Sequence, residues 1–423
     1  MMPALASTSG TIHTRSLLAY GLFGLPLALV ALPLYVYVPQ LYAERFGMSL
    51  SLIGAALLAA RLLDAFVDPA IGWWVDRSKN SGGYDRAVLL AVPLLAGGFL
   101  ALFLPPALAE AQPLAWFLAA LLLTYGGFSL ASIAHQSWGA ALTQAPGERA
   151  RLTATREACG LVGVMLAAGI QQVLNPGWLS LVFVVTLVGA AALLLKVAAR
   201  PAIETRPEQH GGLRALLVPF QGRRFRWLFA VFLVNGIAAA IPATLFLFFA
   251  KDHLQLADYS AAFLLLYFVA AALSMPLWVF AARRLGEARA WLLGMLLAVV
   301  AFVWAYGLGA GDAAAFGAIC FLSGLTLGAD LALPPALLAA VIGKAGHSGQ
   351  REGAYFGVWN WATKLNLALA AGISLPLLEG LGYVPGTSGA DSTEALRIAY
   401  ALVPCALKLI AAAILLRAPL RDL

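Results

Sequence analysis

Long apolar runs separated by short polar breaks dominate the sequence. A helix needs about 20 mostly apolar residues to cross the hydrocarbon core of a membrane, and twelve runs reach that length. Their hydrophobic residues are continuous and do not alternate every second position, which favours transmembrane helices over a transmembrane barrel. The pattern therefore predicts an all-α integral membrane protein with helices over 16–43, 50–75, 87–108, 113–142, 155–175, 178–199, 227–250, 258–282, 289–309, 313–342, 354–380 and 395–417.

Composition excludes a soluble domain, and the charge pattern predicts the orientation. Hydrophobic residues make up 62% of the 423 residues and charged residues 11%, against roughly 25% charged in ordinary soluble domains.

The net charge of +7 does not indicate nucleic-acid binding, because the basic residues cluster in alternate breaks between helices. The breaks assigned to the outside hold Arg45, Lys251 and Arg397. This positive-inside pattern predicts that both termini are cytoplasmic, in a bacterial-type inner membrane.

Several other features point away from a signal peptide, a disulfide, a metal centre and a nucleotide. The residues before the first run lack a basic patch, and that run is longer than a signal-peptide core, so no cleaved signal is expected. Cys159, Cys320 and Cys405 lie inside predicted helices without a C-x-x-C pair. Glycine pairs such as Gly126-Gly127 follow no strand and precede no Lys-Ser/Thr, unlike a phosphate-binding loop. We therefore expect no cofactor and no bound metal centre.

The polar stretch 200–226 divides the predicted helices into two groups of six. It carries much of the inner basic charge and predicts a cytoplasmic linker between an N-terminal bundle, 1–199, and a C-terminal bundle, 227–423. When the sequence is compared with itself at a shift of 207 residues, Arg77 aligns with Arg284. Such an echo is expected when the two halves are internal repeats of one another.

Three charged residues form a stripe inside the second predicted helix. Arg61, Asp64 and Asp68 are three and four positions apart, so they lie within about 60° of one another on one helix face. Each charge at bilayer depth costs about 2.5 to 3.5 kcal/mol on the insertion scale, so the stripe must face a partner or water. Pro69 lacks the N–H that would bond a carbonyl one turn earlier, which predicts a bend and a further oxygen beside the carboxylates. These oxygens suit a small hard cation or a shared proton, and the structural alternative is an Arg–Asp lock between helices.

A second intramembrane cation, Lys364, lies in the eleventh predicted helix. It could balance the second carboxylate, so that two cations would face two anions when the site is empty. Binding of a cation or proton at the aspartates would then release Arg61 or Lys364 from its pair, which would couple an ion to a solute. A static salt bridge is the alternative interpretation.

The sequence from Arg61 to Arg77, RLLDAFVDPAIGWWVDR, resembles the second helix of the melibiose-carrier family, the glycoside-pentoside-hexuronide cation symporters of the major facilitator superfamily. The match in R-x-x-D-x-x-x-D-P-x-x-G is specific, and the resemblance extends along most of the chain. It implies a major facilitator fold, twelve helices in two six-helix bundles, and cation-coupled symport of a small organic solute such as a sugar or sugar derivative by alternating access. The site residues that it implies are Asp64 and Asp68 for the cation, Arg61 and Lys364 for coupling, and Trp138 and Arg156 for the solute.

The chain departs from the family at positions that concern the solute and the ion. Sugar-transporting members have an acidic residue four positions before the Trp of helix four and a Lys-Asp pair in helix one, where this chain has Ala134 and the Leu25-Pro26 region. A lysolipid or another amphipathic solute on the same fold is therefore an open alternative. Polar neighbours of the sodium site in the family are replaced by Val67 and Ala131, which favours H+ over Na+ as coupling ion and leaves both open.

Further polar residues in apolar surroundings are candidates for the solute site and the gate. Asp330 in the tenth predicted helix could bind solute or a proton, pair with Lys364, or cap backbone broken by the prolines that follow it. His135 could contact the solute or be a hydrogen-bonded packing histidine. Charged residues at the inner ends of the second and eighth helices are expected to form an inner gate: Asp76, Arg77, Arg283 and Arg284.

Two other classes of function stay open on sequence grounds. An integral-membrane transferase could use Asp64, Asp68 and His135, although such enzymes usually place catalytic groups in a polar interfacial loop, which this sequence does not show. In a non-transporting receptor the charged stripe would be structural. We expect a transporter rather than an enzyme, with a small-molecule solute and the lipid bilayer as partners, no nucleic acid, and a monomeric state.

Overall fold

The computed structural model describes residues 11–78, 83–170, 175–201, 217–381, 383 and 390–420. Each helix predicted from an apolar run has a helical counterpart in this part of the chain, and no strand occurs in it. The all-α prediction is therefore confirmed. The α-helices are α1 (Thr14–Leu22), α2 (Gly24–Leu29), α3 (Ala31–Phe46), α4 (Leu50–Ser78), α5 (Gly83–Phe103), α6 (Leu108–Ala111), α7 (Pro113–Leu142), α8 (Pro146–Ile170), α9 (Pro176–Val197), α10 (Val218–Gln221), α11 (Arg223–Phe248), α12 (Ser260–Leu285), α13 (Glu287–Phe302), α14 (Ala313–Lys344), α15 (Glu352–Gly380), α16 (Ala390–Arg397) and α17 (Val403–Arg417).

The first predicted helix, 16–43, consists of three consecutive helices, α1 to α3. Proline has no backbone N–H, and its ring clashes with the carbonyl four residues earlier. For Pro26 that carbonyl belongs to Leu22, the last residue of α1, and for Pro33 it belongs to Leu29, the last residue of α2. The two breaks therefore fall where the prolines remove helical hydrogen bonds.

Nine helical segments within the described residues are long and apolar enough to cross a membrane. Several helices extend beyond the apolar runs that predicted them. α8, for example, begins at Pro146, well before the predicted start at 155, and its first turn carries Glu148. A carboxylate in the first turn is favourable because it faces the positive end of the helix dipole. The chain is therefore a multi-pass integral membrane protein whose helices run past the apolar core at their ends.

The chain forms two compact units. They are unit 1, Met1–Pro219 with Ile342–Trp361, and unit 2, Phe220–Val341 with Ala362–Leu423. Unit 1 thus includes the end of α14 and the start of α15, which the six-plus-six prediction assigns to the C-terminal bundle. Most of the predicted linker 200–226 lies outside the described residues. The division into bundles 1–199 and 227–423 stays a prediction.

Glycine allows close helix contacts in unit 1. A Cβ on Gly98 of α5 would lie 2.5 Å from the backbone nitrogen of Thr124 in α7, and a Cβ on Gly163 of α8 would lie 2.2 Å from the carbonyl oxygen of Leu25 in α2. Small residues at such contacts let helix backbones approach more closely than larger side chains permit. α4 also packs on α7, which places the charged stripe of α4 beside the polar residues of α7.

Unit 2 has an aromatic core next to two π-helical segments, Phe249–His253 and Ile398–Leu402. The rings of Phe249 and Tyr400, one from each segment, stack with centroids 4.0 Å apart and an interplanar angle of 7°. The ring of Phe316 from α14 packs against Phe249 at 5.7 Å. These contacts join α11, α14 and the start of α17.

Candidate functional site

The charged stripe lies on α4 in unit 1. Asp68 is completely buried, Asp64 is 6% exposed, and Arg61 is partly buried. α4 runs from Leu50 to Ser78 and contains Pro69 within the helix. Both carboxylates therefore lie on the packed face of a transmembrane helix, where an ionised group needs polar contacts to offset its desolvation.

Asp64 receives a hydrogen bond from α7. The Ser129 hydroxyl donates to Asp64 Oδ1 at 2.8 Å, and Ser129 is 1% exposed. A hydroxyl can donate to a carboxylate and can also turn a lone pair toward a cation. Ser129 was not predicted from the sequence, because a neutral serine in an apolar run carries no charge that would distinguish it. Its run, FSLASIAHQSW, has three serines, and helix packing decides which of them meets α4.

Arg156 of α8 forms a second polar cluster in unit 1. It is 9% exposed, its Nε donates to Glu157 Oε1 at 3.0 Å, and its Nη2 makes a further hydrogen bond to the same oxygen. Tyr20 of α1 lies near this guanidinium. Arg156 is thus a buried cation with an acidic neighbour, and its predicted role in solute recognition stays a prediction.

His135 of α7 packs against Tyr20. Its Nε2 lies 2.9 Å from the Tyr20 carbonyl oxygen, the Tyr20 hydroxyl donates to the His135 carbonyl oxygen at 3.2 Å, and the ring centroids are 4.3 Å apart. A Cβ on Gly139 would lie 2.1 Å from the Tyr20 hydroxyl oxygen, so glycine there makes room for the tyrosine. These contacts hold α1 to α7, as the packing interpretation of His135 expects. Solute contact by His135 stays a prediction.

Trp138 of α7 is completely buried, and its indole N–H forms a hydrogen bond with the backbone that follows α9. Nε1 donates to the Ala199 carbonyl oxygen at 2.8 Å, while the Ala199 N–H donates to Ser16 Oγ at 2.6 Å. Both backbone groups of Ala199 are thereby satisfied by side chains. The structure gives Trp138 a position against the end of α9, and a contact with solute stays a prediction for this residue also.

Asp330 of α14 belongs to an ion-pair network inside unit 2. Its Oδ2 lies 2.7 Å from Lys408 Nζ of α17, and its Oδ1 accepts hydrogen bonds from Trp291 Nε1 at 2.8 Å and Asn235 Nδ2 at 3.1 Å. Lys408 Nζ also donates to Asn235 Oδ1 at 3.0 Å. Asp330 therefore forms an ion pair with Lys408, which was not among the partners raised for it. Its predicted role in binding solute or a proton stays a prediction.

The partners of Asp330 were not predicted from the sequence. Lys408 lies in the apolar run VPCALKLIAAA, so the criterion that found Lys364 would also have found it. Asn235 and Trp291 are neutral residues on two further helices, α11 and α13, and their approach to Asp330 depends on the tertiary packing. Lys364 itself lies on α15 in unit 2 and is partly buried.

Asp76, predicted as an inner-gate residue, lies near the end of α4 and caps another helix of unit 1. Its two carboxylate oxygens accept hydrogen bonds from the N–H groups of Gly353 and Ala354, each at 2.7 Å. These residues form the first turn of α15. A carboxylate there satisfies N–H groups that have no partner within the helix and faces the positive end of its dipole. The gating role of Asp76 stays a prediction.

The predicted gate arginines show the same local arrangement in each unit. The Arg77 guanidinium lies over the Trp73 ring at 5.5 Å from its centroid, and the Arg284 guanidinium lies over the Phe280 ring at 5.4 Å. Both pairs are four residues apart, and the 207-residue shift carries one pair onto the other. Arg283 precedes Arg284 in the last turn of α12. This parallel agrees with internal repeats.

The oxygen ligands on α4 and α7 define what the site could hold. Within the described ranges, no group of three His, Cys, Asp or Glu side chains is arranged for a metal ion. Asp64, Asp68 and Ser129 offer carboxylate and hydroxyl oxygens, which suit a proton or a hard cation better than a transition metal.

Comparisons with known proteins agree with this architecture. The isoprimeverose transporter of Lactiplantibacillus pentosus is 22% identical, over 87% of this chain and 81% of its own. The mouse sphingosine-1-phosphate transporter MFSD2B is 21% identical, over 99% of this chain and 91% of its own. Among solved structures, the Escherichia coli fucose:proton symporter FucP superposes with a TM-score of 0.71 at 14% identity, covering 96% of this chain and 98% of that one.

The family comparison settles the class of protein. The family model described as "MFS/sugar transport protein" matches residues 18–422, almost the whole chain. The resemblance to the sugar-carrying branch of the major facilitator superfamily is thereby confirmed, as is the expectation of a transporter and not an enzyme. The chain belongs to the MFS/sugar transport protein family and has the major facilitator fold.

Proposed function

We propose that this protein is a cation-coupled symporter that carries a sugar or sugar derivative by alternating access. The observation that carries the proposal is the polar group on α4 and α7, in which Asp64 and Asp68 are buried on one helix face and Ser129 donates to Asp64 at 2.8 Å. Ionisable residues at membrane depth are costly and are typical of ion pathways and proton relays. The family membership supports solute transport as the task that this ion site drives.

The coupling ion that this group best suits is a proton, with Na+ as the alternative. A sodium ion needs several oxygen ligands, and Val67 and Ala131 offer apolar side chains where sodium symporters of the resembled family have polar ones. A proton needs one carboxylate oxygen and a neighbouring hydrogen-bond partner, which Asp64 and Ser129 provide.

Two intramembrane cations, Arg61 and Lys364, are proposed to couple binding of the ion to transport of the solute. Arg61 shares the α4 face with Asp64 and Asp68, so a bound proton or Na+ would weaken its attraction to them. Lys364 is proposed as the second coupling cation, and Arg156 as a solute contact. A ligand shifts a conformational equilibrium by as much as its affinity differs between the two states, and these charge changes are the source of that difference here.

The remaining parts of the proposal concern the cellular setting. The distribution of Lys and Arg supports a bacterial-type inner membrane with both termini in the cytoplasm. Asp76 with Arg77 and Arg283 with Arg284 are proposed as inner-gate charges. The transporter is proposed to act as a monomer, without nucleic-acid partners.

The test is ion flux into proteoliposomes that contain the purified protein. External pH and Na+ uptake would be recorded while neutral sugars, sugar acids and lysolipids are added in turn. Asp64→Asn and Asp68→Asn are the test variants. Asp312→Asn is the matched control, because Asp312 accepts the Gly309 N–H at 2.8 Å just before α14 and lies outside the stripe.

External alkalinisation with one solute, kept by Asp312→Asn and lost in both stripe variants, is the expected result. Sodium entry with the same dependence would identify Na+ as the coupling ion. Solute uptake without any coupled ion flux would contradict symport and would make the stripe structural.

A lysolipid or another amphipathic solute is the second candidate. It is favoured by the match with the sphingosine-1-phosphate transporter over 99% of this chain and by Ala134, which stands where sugar carriers of the resembled family have a carboxylate. The lysolipid arm of the same flux experiment decides between the two solutes.

A further inference from the structure

Asn366 of α15 carries a buried amide oxygen that the described protein leaves without a hydrogen-bond partner. The residue is 4% exposed, and Oδ1 has no donor within reach among the described residues. Its amide nitrogen, in contrast, donates to the Phe232 carbonyl oxygen of α11 at 3.4 Å. The two ends of one amide group therefore have different surroundings.

The orientation of this amide is fixed by α11. A Cβ on Gly236 would lie 1.9 Å from Asn366 Nδ2 and 2.7 Å from Cγ, so glycine is what lets the amide lie against α11. Rotating the amide by half a turn would place Oδ1 against the Phe232 carbonyl, and two acceptors repel each other. The nitrogen therefore faces α11, and the oxygen faces away from Phe232.

An orphan acceptor in a transmembrane helix needs a physical explanation. Leaving a buried polar group without a hydrogen bond is costly, and native proteins do so rarely. The bilayer offers no water to satisfy it. Leucine, which is common on α15, has nearly the same shape and would avoid the cost. The amide oxygen is therefore suited to a donor that enters from outside the protein.

Ser374 is a second buried polar residue on nearly the same side of α15. It is completely buried, and its Oγ likewise has no hydrogen-bond partner among the residues that the structure describes. Eight residues separate it from Asn366, which places the two side chains within about 80° of each other around the helix. Two orphan polar groups on neighbouring faces of one helix indicate a route for polar ligands along it.

We propose that Asn366 Oδ1 accepts a hydrogen bond from a hydroxyl group of the transported solute. This inference rests on the proposed transport of a hydroxylated solute and names one residue of unit 2 that recognises it. A carbonyl oxygen accepts hydrogen bonds and repels anions, so the group it binds is a hydrogen-bond donor and not a carboxylate, sulfonate or phosphate. Among donors, the hydroxyl is the one that a sugar offers at several positions. Sugars and sphingoid lipids both supply such a hydroxyl.

The test combines a variant with solutes that lack single hydroxyl groups. Full-length wild type and Asn366→Leu would be purified, and binding of isoprimeverose, fucose and their monodeoxy analogues would be followed by thermal unfolding; sphingosine would be the lipid probe. Thr326→Val is the matched control, because Thr326 is buried in unit 2 and its hydroxyl donates to the Ser323 carbonyl of its own helix at 2.7 Å.

Asn366→Leu is expected to weaken binding of the recognised solute about 10- to 100-fold. One monodeoxy analogue should bind wild type and Asn366→Leu equally, because it lacks the hydroxyl that Oδ1 accepts. Without ligand, the Tm of Asn366→Leu should equal or exceed that of wild type, since the orphan acceptor is gone. Thr326→Val should leave every binding constant unchanged.

Two results would overturn the inference. One is equal weakening of the parent solute and all its deoxy analogues, and the other is a lower Tm of ligand-free Asn366→Leu, which would mean that the amide serves packing. If no probe binds the wild type, the proposed solutes fail, and the ligand-free Tm still decides the role of Asn366. An undiminished Tm would then support an acceptor kept for another hydroxylated ligand.

Discussion

The bond from Ser129 to Asp64 makes a residue-scale prediction about the coupling ion. A hydrogen bond to a charged group contributes about 1.5 to 3 kcal/mol. Ser129→Ala removes the hydroxyl that donates to Asp64 Oδ1, so the site loses one of the polar groups proposed to serve the coupled ion. Coupled uptake should therefore fall about 10- to 100-fold.

Initial rates of coupled uptake into proteoliposomes at one fixed ion gradient would show this loss. Thr124→Val is the control, because Thr124 is buried in the same helix, α7, and its hydroxyl donates to the Ala120 carbonyl of that helix. Coupled uptake at the wild-type rate in Ser129→Ala would mean that the contact between Ser129 and Asp64 does not serve the coupled ion.

Two glycines on α7 make a second residue-scale prediction. Gly139→Ala would put a methyl group 2.1 Å from the Tyr20 hydroxyl oxygen, whereas a Cβ on Gly126 meets no atom within 4 Å. Gly139→Ala should therefore displace Tyr20 from His135 and Arg156 and lower stability by about 1 to 3 kcal/mol, as overpacking does. Gly126→Ala should be neutral or stabilising by up to about 1 kcal/mol, since alanine favours a helix.

Thermal unfolding followed by tryptophan fluorescence measures both glycine variants. Equal Tm values for Gly139→Ala and wild type would show that the Tyr20 contact can relax.

At the scale of the elements, the network around Asp330 makes a prediction about its role. Removing one member of a buried ion pair costs about 3 to 5 kcal/mol, because the other charge is left without its partner, while replacing both is often tolerated. Asp330→Asn and Lys408→Met should each be strongly destabilised. The double variant should recover most of the lost stability, since no unpaired charge remains.

The Tm of the four proteins and their coupled uptake would be compared. A stable double variant that still accumulates solute would assign the network to holding α11, α13, α14 and α17 together. A stable double variant without coupled uptake would instead make Asp330 part of the ion pathway. Failure of the double variant to recover would contradict a simple pairwise interaction.

The elements also show why the sequence predicts some features and not others. Apolar runs locate the transmembrane helices because the bilayer imposes their length, and Pro26 and Pro33 break the first helix where their missing N–H groups require it. Charged residues such as Asp64 are visible because a charge in an apolar run is costly. The contacts of Ser129, Asn235 and Asn366 were not predictable, because the partner of a neutral polar side chain depends on which helix packs against it.

At the scale of the whole molecule, positions 207 residues apart can be compared between the two units. The pairs Arg77 with Trp73 and Arg284 with Phe280 have matching geometry in the two units, at positions related by the shift read from the sequence. The stripe of α4 has no charged equivalent at the shifted positions, where Phe268, Ala271 and Met275 lie. A repeat of the two halves would account for this shared geometry, and the positions at which the halves differ would locate the residues that distinguish the two units.

The distribution of basic residues over the molecule predicts its orientation. Both arginines assigned to outer loops contact their own unit: Arg45 donates to the Pro105 carbonyl at 3.1 Å, and Arg397 pairs with Glu394 at 2.9 Å. Most of the other basic residues outside the helices lie in the breaks assigned to the cytoplasm, as the positive-inside rule expects. A C-terminal fluorescent-protein fusion should therefore fluoresce, and alkaline phosphatase fused after Gly47 should be active. The reverse pattern would place both termini outside, which would contradict the proposed orientation while leaving the fold unchanged.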